Sequence, residues 1–253
     1  MTYEQTPVSQ HDNEHSSTLA LPGEAEKGNL SAIPGLAHLA SPPQSGAGGG
    51  GAAGQRERQN AADLTSLFTA HRTASGFSSK PVEAGTIRRL YDLARLGPTS
   101  GNCAPARFAF ITSASARQRM LEALSPGNRD KVAQAPLMVV VGQDPLFFDH
   151  LPKLNPQQPL RDWFASDVGL SEETAFRNST LQGAYMLMAA RALGLATLPL
   201  SGFDAPLVED MFLREQGWQA NFLIAMGWPS EDTSSGPGPR LPRLLFEEAC
   251  LCL

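Results

Sequence analysis

The sequence predicts an α+β domain carried behind a long polar tail, and three observations predict it. Helical and strand patterns follow one another along the chain without the strict βαβ alternation of a doubly wound sheet. Leu137-Met138-Val139-Val140-Val141 is apolar at every position, as a strand covered on both faces must be. Leu181 to Leu193 reads LQGAYMLMAARAL, apolar nearly all the way round a helix. A helix of that kind is buried on several sides rather than along one stripe.

Residues 1–62 differ from all that follows. They are rich in Ser, Pro, Gly, Ala and Gln and contain the run Gly46-Ala47-Gly48-Gly49-Gly50-Gly51. They sustain neither a period of 2 nor one of 3.6, so burial cannot offset the entropy of ordering them, and a disordered tail is expected. Gly46-x-Gly48-x-x-Gly51 does spell the dinucleotide fingerprint. That motif works only between a buried strand and a helix whose N-terminus meets the pyrophosphate. Here Ser41-Pro42-Pro43 precedes it and a polar segment follows, so a Rossmann reading is rejected. For His11 and His15, in a solvated tail, adventitious metal binding at most is expected.

Residues 63–253 read as one domain. Asp63 is the expected N-cap of a first helix with Leu64, Leu67 and Phe68 on its stripe. A second helix begins near Glu83, places Ile87, Leu90, Tyr91 and Ala94 on one face, and stops at Gly97-Pro98. There glycine is expected to take the left-handed cap conformation, and proline cannot continue the ladder. Phe108 to Ile111 is a strand, Ala114 to Leu124 a helix, and Leu137 to Val141 a central strand. Ser171 is the expected cap of the long helix, with Glu172 and Glu173 in its first turn and Gly194 at its end. Strands at Leu195–Leu200 and Asn221–Met226 enclose a helix from Pro206 to Leu213. The second face of the long helix belongs either to a subunit interface or to the core of a monomer.

Composition narrows the function classes. Hydrophobic residues make up 42% and charged residues 18%, ordinary for a globular protein, and the net charge of -5 supplies no basic field for nucleic acid. No apolar run approaches the roughly 20 residues that cross a bilayer. The N-terminus lacks a basic start and apolar stretch, and Glu4, Asp12, Glu14, Glu24 and Glu26 make it too acidic for a transit peptide. A cytoplasmic protein without nucleic-acid or membrane partners is expected. Cys103, Cys250 and Cys252 are odd in number and lack metal spacing, so reduced thiols and no metal centre are expected.

One stretch carries more. Gly97-Pro98-Thr99-Ser100-Gly101-Asn102-Cys103-Ala104-Pro105-Ala106-Arg107-Phe108 resembles the nitroreductase family's segment of the form (A/G)-P-(S/T)-S-x-N-x-x-P-x-R-F. The similarity continues through Asn128-x-x-Lys131, the turn Pro199-Leu200-Ser201-Gly202-Phe203-Asp204 and the end piece Arg240-Leu-Pro-Arg243, and spans about Leu64 to Leu253. Within the family it resembles the malonic semialdehyde reductase branch (RutE/HadB-like), associated with uracil breakdown. The stretches GPTSGNCAPARF, RDWF, EETAFRNS, ALGL, SGFD and LPRLLFEEAC carry that likeness.

The resemblance implies a nitroreductase-like fold: a central, mostly antiparallel sheet flanked by helices, with the long buried helix at a homodimer interface. It implies FMN in two sites built from both chains, with NADPH or NADH as co-substrate. The flavin N5 carries the hydride onward, and no catalytic side chain is assigned. Arg72 with Thr73, Arg243 and the assisting Arg240 match phosphate-binding positions. Guanidinium suits that role because its paired donors match a phosphate edge. Pro98, Thr99, Ser100 and Asn102 match the loop that approaches the flavin from the neighbouring subunit. Asn128 and Lys131 match contacts to the pyrimidine side of the ring, although Asn128 also reads as a helix N-cap. Ser201 and Gly202 would place a backbone N–H near N5.

The chain departs from the family at two positions. Ser75 stands where many members carry a basic residue, and His71 replaces the first of the usual paired arginines. Fewer cations predict weaker FMN retention.

For substrate, the resemblance implies malonic semialdehyde reduced to 3-hydroxypropionate. Its carboxylate calls for a cation, and Arg107, Arg161 and Arg177 are candidates. Arg161 is favoured, because it precedes Trp163 and Phe164 in the Pro- and aromatic-rich segment 144–171, expected to cover the flavin. No general acid stands out beyond water or the Thr99 hydroxyl. Two other readings stay open: a broader reductase of nitroaromatics, quinones or enones, and a flavin-binding carrier or regulator without turnover.

Overall fold

The computed structural model describes residues 65–230 and 240–253. The chain divides into a unit Met1–Ala52 and a unit Ala53–Leu253, and the second holds everything described below. The expected tail over 1–62, with its glycine run, and the expected cap at Asp63 lie outside the described residues.

Four strands, β1 (Ala106–Ile111), β2 (Leu137–Gln143), β3 (Ala196–Leu200) and β4 (Gln219–Gly227), form one sheet. Their order is β1-β2-β4-β3, and each neighbouring pair is antiparallel. The inner position of β2 explains its unbroken apolar run, since all seven of its residues are buried. Its side chains alternate all the same: Met138 and Val140 join the core on one face, Leu137, Val139 and Val141 the core on the other.

Helices cover both faces. Residues 65–69 form α1. It is followed by α2 (Ala84–Ala94), α3 (Ala114–Ala123), α4 (Pro126–Val132), α5 (Leu151–Leu154), α6 (Leu160–Ala165), α7 (Val168–Ala192), α8 (Ala205–Phe212) and α9 (Phe246–Ala249). The long α7 crosses all four strands with α2 beside it. Leu90 and Ala94 meet Met186, Ala189 and Ala190 there, over Val139 and Ile224. On the opposite face Met120, Leu124 and Val208 pack on Val140, Leu223 and Ala225. A third cluster ties Cys103 to Phe147, Leu151, Phe164 and Ala175.

The α+β class and the antiparallel sheet are as expected, and two local expectations need correction. The long helix begins a turn before Ser171, because Asp167 takes the cap and accepts from the Leu170 N–H at 2.9 Å. Ser171 lies inside the helix and donates its hydroxyl to the Val168 carbonyl. Gly97 has no left-handed backbone. It is glycine because the Tyr185 ring lies against it, where a Cβ would come within 2.1 Å of Cδ2. On α7, Phe176 is 55% and Leu181 41% exposed within one chain, which is consistent with the subunit-interface reading of its second face. The short α5 and α6 were not foreseen, since one or two turns carry no readable period. Among the described residues no helix is long and apolar enough to cross a membrane.

Candidate active site

The edge strand β3 organises the site. At its start Thr73 bridges Thr197, and the Ala74 N–H donates to the Thr197 carbonyl at 2.9 Å. This pins segment 71–75 to the sheet. The C-terminal segment returns onto the same place, where the Arg240 guanidinium donates to the carbonyls of Phe68, Thr69 and His71 at 3.0–3.3 Å. Arg243 donates to the carbonyls of Leu241 and Pro242. Between these pieces lies a cavity of about 530 Å³ lined by four arginines, Arg72, Arg191, Arg240 and Arg243, with His71, Thr73 and Ser75. No carboxylate among the described residues lines it. Such a pocket suits a dianion, because the paired N–H donors of several guanidinium groups act together.

Arg191 did not figure among the expected ligands. It reaches the pocket from the last turn of α7. One signal could have found it, for it is the lone charge in the apolar run from Leu181 to Leu193.

At the other end of β3, the turn after Leu200 is clamped to the α3–α4 junction. The Ser125 N–H donates to the Gly202 carbonyl at 3.0 Å, and the Asp204 N–H to Ala123 at 2.8 Å. The Asn128 amide donates to the same Gly202 carbonyl at 3.2 Å. A Cβ at Gly202 would lie 2.8 Å from the Asn128 Nδ2 and displace that amide. Asn128 is therefore in the first turn of α4, with Ser125 at the cap position, which corrects the capping reading. Lys131 follows one turn on and is exposed. The structure thus brings Asn128 to Ser201-Gly202, and Arg72, Thr73, Arg240 and Arg243 to one pocket. The four residue steps from Thr197 to Ser201 separate the two groups by roughly 13 Å.

The loop of Pro98, Thr99, Ser100 and Asn102 sits elsewhere. Gly101, Asn102 and Ala104 have positive φ of 56°, 55° and 38°. Side-chain bonds hold this costly backbone in place. The Ser100 N–H donates to Asn178 Oδ1 at 2.9 Å, the Ala104 N–H to Thr99 Oγ1 at 3.1 Å, and the Tyr185 hydroxyl to the Pro98 carbonyl at 2.9 Å. The Asn102 amide is engaged with the Leu154 carbonyl at 2.7 Å. Asn178 and Arg191 are both on α7, thirteen residues or about 20 Å apart along its axis. A single chain therefore does not bring Ser100 to its own arginine pocket.

The profile of the nitroreductase family matches residues 69–228, which take in the sheet, α7, Arg191 and the Asn128–Gly202 contact. The chain belongs to the nitroreductase family. Its fold is similar to that of ydfN from Bacillus subtilis, described as a nitroreductase, with a TM-score of 0.66 at 20% identity, covering 76% of this chain and 99% of that one. It is also similar to a protein of Staphylococcus epidermidis described as an NAD(P)H:FMN oxidoreductase, with a TM-score of 0.64 at 16% identity, covering 75% and 95%. A nitroreductase of Exiguobacterium sibiricum, solved in complex with FMN, gives 0.58 at 18% identity, covering 70% and 92%.

In this nitroreductase-family chain the expected substrate residues are scattered in role. Arg107 is half-enclosed and paired with Asp144 at 2.6 Å, while its other nitrogen donates to the carbonyls of Ala104 and Ala106. Phe164 is buried in the third cluster, 5.1 Å from the Phe147 ring, and leaves Trp163 as the exposed aromatic of the pair. Arg161 is half-exposed on α6 between Asp162 at 2.8 Å and Asp149 at 2.9 Å. Hydrogen bonds to Asp162 and Asp149 raise its pKa further. Arg177 is exposed and paired with Glu173 one turn before it.

Proposed function

We propose that this chain is an FMN-dependent NAD(P)H oxidoreductase working as a homodimer, with malonic semialdehyde as the acceptor reduced to 3-hydroxypropionate. The observation that carries the reading is the arginine pocket at one end of β3 and the Asn128–Gly202 amide cluster at the other. A phosphate ester suits the first, and a ring edge alternating N–H and C=O groups suits the second. The residues present fit the cofactor: four arginines line the cavity, and one of them, Arg191, has a buried Nε with no hydrogen-bond partner among the described residues. When bound, FMN supplies a two-electron carrier between the nicotinamide and the acceptor.

The chain's own residues then take distinct tasks. Arg72, Thr73 and Arg243 hold the phosphate, and Arg240 braces the segment 68–71 that shapes the pocket. Asn128 offers an amide donor and acceptor, Lys131 a positive charge that favours electron density on the ring, and Ser201 and Gly202 their backbone N–H groups. The exposed apolar face of α7, with Phe176 and Leu181, supports a second copy against it. In that dimer Pro98, Thr99, Ser100 and Asn102 serve the partner's pocket rather than their own. Arg161 meets the substrate carboxylate by exchanging an aspartate partner for it, beside the exposed Trp163.

The test is anaerobic oxidation of NADPH, with FMN added and malonic semialdehyde as the sole acceptor. Formation of 3-hydroxypropionate is expected. Flavin bleaching without turnover would leave the reductase and remove the substrate. Absence of bleaching with either NADPH or NADH would remove the reductase as well.

A further inference from the structure

Arg191 belongs to no motif used above, and its surroundings are unusual. One terminal nitrogen, Nη1, donates to the Leu67 carbonyl at 3.3 Å. Its Nε is, among the described residues, the one buried side-chain nitrogen or oxygen with no hydrogen-bond partner. A guanidinium stays charged under all ordinary conditions, so it cannot relieve such a deficit by losing its proton. A dry, unmatched charged donor is a standing penalty until an acceptor arrives.

The cavity that Arg191 lines provides the setting for that acceptor. Arg72, Arg240 and Arg243 line the same cavity. The unmet Nε is relieved by the entry of an anionic acceptor among these donors. The two basic positions missing at His71 and Ser75 are also made good, since Arg191 returns a cation to the pocket from 120 residues down the chain.

We propose that Arg191 is a ligand of a phosphate dianion bound in this pocket. Nη1 stays on Leu67 and fixes the plane of the guanidinium, while the Nε edge turns to a phosphate oxygen. The inference rests on the FMN reading for the identity of the ester, but the anion site itself does not.

The test compares wild type with R191Q and R191K by flavin fluorescence titration. FMN and riboflavin serve as probes, alongside thermal melts with and without inorganic phosphate. R191Q is expected to bind FMN roughly 10- to 100-fold more weakly, the range for losing a hydrogen bond to a charged group. R191K, which keeps the charge but loses the fork, is expected to fall between. Riboflavin affinity is expected to be unchanged in both. Equal FMN affinity in wild type and variant, or equal loss for FMN and riboflavin, would overturn the proposal while leaving the flavin reading intact. If R191Q does not fold, R191K is judged by the same criteria. If wild type binds no FMN, the flavin reading fails and the melts decide. Protection by phosphate that the variant loses upholds the anion site, and absence of protection overturns it.

Discussion

Replacing Gly97 by alanine tests how the loop of Pro98 to Asn102 is held. A Cβ there would lie 2.1, 2.2 and 2.6 Å from three carbons of the Tyr185 ring, so the ring must retreat by more than an ångström. Its hydroxyl then leaves the Pro98 carbonyl, now 2.9 Å away. Overpacking of this kind costs about 1–3 kcal/mol and the lost hydrogen bond about 1 kcal/mol, so G97A is expected to lose about 2–4 kcal/mol. The assay is a double-mutant cycle by urea unfolding at fixed protein concentration, using G97A, Y185A and the pair. With the ring gone, the added methyl has nothing to strike, and the double variant is expected to be no less stable than Y185A. FMN affinity should fall in G97A, because the displaced backbone belongs to the loop assigned to the partner's flavin. If G97A costs the same with and without Tyr185, the steric explanation for this glycine is wrong.

Three further outcomes are expected. Burial pushes the Cys103 thiol from 9.0 to about 11, chiefly by desolvation. The folded chain therefore keeps a proton that the unfolded chain gives up, and stability is full below pH 9 and declines as pH rises through 11. About 2–3 kcal/mol is at stake. Melts from pH 8 to 11 should show a shallower decline for C103A, and parallel curves would contradict this. G202A places a methyl 2.8 Å from the Asn128 amide nitrogen and 3.1 Å from Ser125 Oγ. It should weaken FMN binding roughly tenfold, about one hydrogen bond's worth, and unchanged affinity would take Asn128 out of the flavin site. R161A should raise the KM for malonic semialdehyde roughly 10-fold or more with little change in kcat, leaving uncharged aldehydes unaffected. An unchanged KM removes Arg161 from the substrate site.

What the sequence determined by itself was whatever local chemistry dictates. The apolar run of β2, the all-round apolar stretch of α7 and the loop from Gly97 to Phe108 each declared themselves, because burial on two faces and a distinctive motif leave marks on adjacent residues. The pairing of Asn128 with Gly202 and the grouping of Arg72 with Arg243 came from resemblance alone, since nothing local links residues 74 or 171 positions apart. Only the tertiary structure decided how the charges were used. Arg107, read as a candidate for substrate, is committed to Asp144, and Phe164, read likewise, is packed into a core. Arg191, read as part of a buried helix, emerges in the cation pocket, because the end of α7 and the segment at 71–75 converge only once β3 has aligned them. Charge complementarity is a property of positions in space, and a sequence discloses such positions only where they are also neighbours along the chain.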